Sequence, residues 1–98
     1  MTTLESKINR LMELGKRAVE LSDCHKSTEP GITLVFRNDG SYYLEFYSYC
    51  LDLQDGGRHH VFDADSFDGL LAGLDRFIAA AENEIKLLER EQSEYGSN

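Results

Sequence analysis

Apolar residues recur every three or four positions at Leu4, Ile8, Leu11, Met12, Ala18, Val19 and Leu21. That spacing predicts an amphipathic helix over about 3–22, with one buried stripe. Thr2-Thr3-Leu4-Glu5 forms a capping box at its start: Thr2 reaches the backbone ahead and Glu5 reaches back. Gly15 lies inside the pattern, where glycine costs about 0.5–1 kcal/mol against alanine. Its presence there points to a close approach by another element. Ser22 to Gly31 is polar, holds the single proline, Pro30, and is expected to be a connection.

The period then changes. Ile32-Thr33-Leu34-Val35-Phe36 is β-branched and apolar, which predicts a strand over about 32–37. Asn38-Asp39-Gly40 is a hairpin signal. A second strand is expected over about 41–53, a turn at Gln54-Asp55-Gly56-Gly57, and a third strand over about 58–62. Short turns between consecutive strands make an antiparallel meander.

Asp63-Ala64-Asp65-Ser66 offers several N-cap side chains ahead of a last helix, expected over about 66–93. That helix carries Phe67, Leu70, Leu71, Leu74, Phe77, Ile78, Ala81, Ile85 and Leu88, the clearest periodic signal in the chain. It would span roughly 40 Å. The reading is one α+β domain over 1–98 in the order α-β-β-β-α. Both helices should pack on one face of a three-stranded antiparallel sheet, leaving the other face to water or a partner. Leu74, Ile78, Ala81, Ile85 and Leu88 alternate spacings of four and three, as a coiled-coil seam does. The seam can pair with the first helix or with another subunit.

Composition changes this picture through charge. The 98 residues hold ten Lys and Arg against eighteen Asp and Glu, a net charge of −8. That balance argues against direct nucleic-acid binding and against anionic membranes. It favours a partner with a basic surface, although solubility alone also accounts for it. The chain is short, so self-association into a homodimer is a reasonable expectation. Cys24 and Cys50 make no disulfide framework. No signal segment opens the chain and no apolar run is long enough to cross a membrane, so a cytoplasmic protein is expected.

Two surfaces stand out as candidate partner-binding sites. Tyr42, Tyr43, Tyr47 and Tyr49 fall within eight residues. Strand alternation sends Tyr42, Leu44, Phe46 and Cys50 to the core, and Tyr43, Glu45, Tyr47 and Tyr49 to the opposite face, with Val35 and Arg37 beside them. Tyrosine is enriched at interfaces, but it is also a good strand former on a half-exposed sheet. The second surface is acidic. Residues 63–98 hold nine carboxylates against three cations, a net −6 of the total −8. Among them Asp68, Asp75, Glu82 and Glu89 recur every seven residues, about 10 Å apart along one helix face. Such a stripe can imitate a phosphate backbone. It can equally be an ordinary solvated face, partly paired through Glu82 and Lys86.

Metal and catalytic chemistry find little support. Asp63 to Leu74 misses the EF-hand calcium pattern: Phe67 stands at position five, the glycine falls one place late, and Leu74 stands at position twelve. His59 and His60 are adjacent in a strand and should face opposite sides. Cys24 and His25 lack the convergent partners that zinc needs. No nucleophile elbow, phosphate loop or dinucleotide fingerprint is present. A Cys50–His60 pair across neighbouring strands is conceivable, but a structural cysteine is the commoner outcome. No cofactor, metal or enzymatic activity is expected.

The order of helix, three-strand meander and helix resembles that of double-stranded-RNA-binding domains. That family grips phosphates with a Lys-rich motif at the start of its second helix. Here the position reads Asp63-Ala64-Asp65-Ser66-Phe67-Asp68, the opposite charge, so RNA binding is not implied. In size, acidity and style the chain also resembles phage-encoded anti-CRISPR and related anti-defence proteins. That resemblance implies a non-enzymatic inhibitor or adaptor, acting in the host cytoplasm on a basic, nucleic-acid-handling partner. The alternative is a homodimeric structural or regulatory module that uses the tyrosine face or the helix seam as its own interface.

Overall fold

The computed structural model describes residues 2–22, 29–48, 50, 51, 53 and 59–96, with side chains as far as residue 93. Elements run α1 (Thr3–Leu21), β1 (Gly31–Phe36), β2 (Tyr42–Tyr47), β3 (His59–Ala64) and α2 (Phe67–Gly96). The sheet is antiparallel in the order β1-β2-β3, and the helices pack on one face of it. The expected α+β architecture is therefore the observed one.

Local chemistry sets the element ends. The Glu5 amide donates to Thr2 Oγ1 at 3.1 Å, the N-cap half of the expected box, and the Glu5 carboxylate reaches back to accept from the Thr2 hydroxyl at 3.0 Å. At the first hairpin the Gly40 amide donates to Arg37 O, and Gly40 has φ of 86°. This is a three-residue loop ending in a left-handed residue, which glycine alone occupies without strain. Asp39 Oδ1 accepts from the Ser41 amide at 2.9 Å and from Ser41 Oγ at 2.6 Å. These bonds, with Arg37 nearby, hold the Asp39 carboxyl below its ordinary pKa.

The ends of β2 and β3 differ from expectation. β2 ends at Tyr47 rather than near residue 53, because Gly31 and His59, its partners on either side, end the two ladders there. Beyond that point Ser48 and Leu51 are buried rather than alternating. β3 runs through Asp63 and Ala64, which pair with Tyr43 and Tyr42 instead of capping the helix. The cap of α2 is Ser66, whose Oγ accepts from the Gly69 amide at 3.0 Å. The expected second turn at 54–57 lies outside the described residues.

The core sits between the helices and the sheet. Leu44, Phe46 and His60 from the sheet, Leu11, Leu14 and Ala18 from α1, and Leu70, Leu74 and Ala81 from α2 are buried. Gly15 does mark a close approach: a Cβ there would lie 2.7 Å from Pro30 Cβ and 3.4 Å from Phe46 Cζ. Gly73 plays the same part on α2, where a Cβ would lie 2.3 Å from the Phe62 ring. The coiled-coil-like seam of α2 finds its partner within the chain. Lys7 pairs with Asp75, Arg10 with Glu82 and Arg17 with Glu89, and Gln92 Nε2 donates to Leu21 O. Numbers rise together in these pairs, so the helices run parallel. The result is an elongated body of 56 × 26 × 22 Å.

Candidate protein-docking surfaces

The sheet face turned away from the helices is built by strand alternation. The register brings Val35, Tyr43 and Asp63 into one row, Thr33, Glu45 and Val61 into a second, and Gly31, Tyr47 and His59 into a third. No described element covers these rows. Val35 and Val61 keep 41% and 38% of their surface in water. The expected grouping of Tyr43, Glu45 and Tyr47 with Val35 and Arg37 is therefore present. Tyr49 lies outside the described residues.

Each of the two tyrosines is braced by a neighbouring side chain. The Arg37 guanidinium sits 5.7 Å from the Tyr43 ring centre and pairs with Asp63 at 2.7 Å. This cation–π contact holds the ring from one side. The His59 ring meets Tyr47 edge-on at 4.9 Å and places Nδ1 3.2 Å from the Glu45 carboxylate. Asp63 is paired with the Arg37 cation and Glu45 meets the His59 ring, so both acids of this aromatic face have a neighbour on it. Rings held in place lose little rotamer freedom when a partner covers them.

The acidic stripe stands differently. Asp75, Glu82 and Glu89 are engaged by the α1 cations, at 3.5 Å for Arg10–Glu82 and 3.8 Å for Arg17–Glu89. Glu82 turns to Arg10 across the seam rather than to Lys86. Arg10 and Arg17 also reach Glu13 and Glu20 on their own helix. Of the four carboxylates, Asp68 has no ion-pair partner among the described residues. The heptad of acids is thus the charged flank of an intramolecular helix pair, as e and g positions are in coiled coils. The signal for it was in the sequence: Arg10 and Arg17 are also seven apart. A shallow dip of about 130 Å³ lies on this flank, lined by Arg10, Leu14, Glu82, Ile85, Lys86 and Glu89. Ordinary ligand pockets begin near roughly 300 Å³.

Two further features escaped the sequence reading. Phe36 and Phe67 keep 67% and 42% of their surface exposed and stack edge-on against Tyr42 at 5.4 and 6.3 Å. Neither phenylalanine breaks the apolar period, so pattern alone gave no sign of their exposure. His60 is fully buried, and its Nε2 lies 3.0 Å from Leu51 O. A carbonyl only accepts, so Nε2 carries the proton and the ring serves the core. His59 lies on the opposite, open face, as alternation requires. Among the described residues no three His, Cys, Asp or Glu side chains converge as metal ligands would, and no helix is long and apolar enough to cross a membrane. No family model, curated protein or solved structure matches this chain.

Proposed function

We propose that this protein is a non-enzymatic protein-binding inhibitor or adaptor that docks through its open sheet face on a partner with a basic surface. The observation that supports this reading is the uncovered pair Tyr43 and Tyr47, the first braced by the Arg37 guanidinium and the second by the His59 ring, on one open sheet face. The net charge of −8 supplies long-range attraction to a basic partner, while the tyrosines supply contact area. Size and acidity support the anti-defence version, in which the partner handles nucleic acid in the cytoplasm of a bacterial host.

The pairing of Asp75, Glu82 and Glu89 decides how the reading is tested. Reversing their charge would set like charges against Lys7, Arg10 and Arg17 and disturb the helix pair, so lost binding would not identify a docking surface. Tyr43→Ala with Tyr47→Ala, and separately Asp68→Lys, leave the seam alone. The wild type and both variants are used to capture partners from a bacterial lysate, and the recovered protein is then titrated in purified form. The reading expects a basic partner whose affinity falls with salt and collapses in the double tyrosine variant. A partner held equally well by the tyrosine variant would refute it.

A further inference from the structure

β1 is an edge strand, and among the described residues no strand pairs with its outer side. The Arg37 amide donates to Ser41 O at 3.0 Å, so 37 and 41 form a hydrogen-bonded pair. Hydrogen-bonded pairs alternate along an antiparallel ladder. Residues 35, 33 and 31 therefore also turn their backbone groups toward β2, and Ile32, Leu34 and Phe36 turn theirs outward. Edges of this kind are usually blunted by charge, proline or a bulge. Gly31-Ile32-Thr33-Leu34-Val35-Phe36 has none of these, whereas the other edge, β3, carries His59, His60 and Asp63. The helix layer does not reach β1 fully either. Phe36 points to the helix side, beside Tyr42, yet stays 67% exposed.

We propose that the outer edge of β1 pairs antiparallel with β1 of a second copy of this chain, joining two three-stranded sheets into one of six strands. The occupant is argued from self-complementarity. A two-fold axis at Leu34 sets Leu34 against Leu34 of the other copy, and Ile32 against Phe36. These are the residues with outward backbone groups, so every N–H and C=O among them finds a partner. On the open face the same register sets Val35 against Thr33, a β-branched pair. Arg37 falls opposite Gly31, where nothing lies within 4 Å of a side-chain position. Like faces stay on like sides, so the helices remain together on one side and the two tyrosine rows join into one surface. Strands 31–36 carry no ionisable side chain, so the junction brings no like charges together despite the net −8 of each copy. One strand per copy makes a small interface, so the dimer dissociates on dilution.

The test is mass by light scattering and sedimentation from micromolar to millimolar protein. The wild type should pass from monomer to dimer. Raised salt should favour the dimer, because it screens the repulsion between two acidic bodies. Val35→Lys lies on the exposed face and keeps the intramolecular ladder. It should remain monomeric over the same range with unchanged circular dichroism. Thr33→Cys with Val35→Cys should give a covalent dimer on mild oxidation, because positions 33 and 35 face each other in this register at a non-hydrogen-bonded site; Val35→Cys alone should not. A wild type that stays monomeric at millimolar concentration would overturn the proposal. So would a dimer that survives Val35→Lys, or one that Tyr43→Ala with Tyr47→Ala abolishes while Val35→Lys does not.

Discussion

Replacing Gly15 by alanine tests the contact between α1 and the start of β1. Two effects oppose each other. Alanine favours the helix by about 1 kcal/mol over glycine. Its methyl group would sit 2.7 Å from Pro30 Cβ, 3.0 Å from Pro30 Cγ and 3.4 Å from Phe46 Cζ. Carbon atoms pack best near about 3.5–4.0 Å, so the methyl overlaps the proline ring by nearly one ångström. Neither neighbour yields easily: Pro30 is buried and rigid, and Phe46 is fully buried. Overpacking of this kind costs about 1–3 kcal/mol, so the net expectation is a loss of about 1 kcal/mol. Urea unfolding measures it as a lower midpoint with an unchanged slope. The decisive comparison adds Pro30→Gly, which removes both overlapping atoms. In that background Gly15→Ala should stabilise by about 1 kcal/mol, a change of sign. If Gly15→Ala already stabilises the wild type, or if its effect is the same in both backgrounds, the close approach is not what selects glycine.

Three further outcomes follow from the same geometry. Arg17→Glu should destabilise modestly, and adding Glu89→Arg should restore about 0.2–1 kcal/mol, an amount that shrinks in high salt; a coupling of zero would remove the pair from the account of the seam. Ser66→Ala should cost about 1 kcal/mol through loss of the α2 cap, while Asp65→Ala should cost much less, a contrast that thermal unfolding reads directly. Asp39 should titrate below the ordinary aspartate value by carbon-detected NMR, and Ser41→Ala should bring it back up. The sign is that of a carboxyl lowered in the folded state. Its contribution to the hairpin is present above the unfolded pKa and is lost as pH falls through the folded one.

Much of the fold was legible because local pattern and tertiary need agree. The three-four spacing of Leu70, Leu74, Phe77, Ala81 and Ile85 is the spacing that buries them, and Asn38-Asp39-Gly40 is a strong turn signal by itself. Reading failed where a partner strand decides. Asp63 and Ala64 look like helix-capping residues in isolation, but Tyr43 and Tyr42 across the ladder draw them into β3. β2 looks longer than it is because its apolar run continues to Leu51, which turns into the core after the partner strands have ended. The tyrosine face followed from alternation alone. The acidic stripe did not resolve, because its meaning depends on which face of α1 lies beside it, and only packing brings Lys7, Arg10 and Arg17 against Asp75, Glu82 and Glu89.

The length of the helix pair also shapes how the molecule moves through solution. A 98-residue sphere would have a radius of gyration near about 13 Å; this body has 14.6 Å, drawn out along one 56 Å axis. A rod tumbles and diffuses more slowly than a sphere of equal mass. Even as a monomer, the protein should elute early from a sizing column and show anisotropic rotational diffusion by NMR. Dimer formation would double the mass, so the shape of the monomer must be fixed first, by its diffusion at high dilution, before an early elution is read as association.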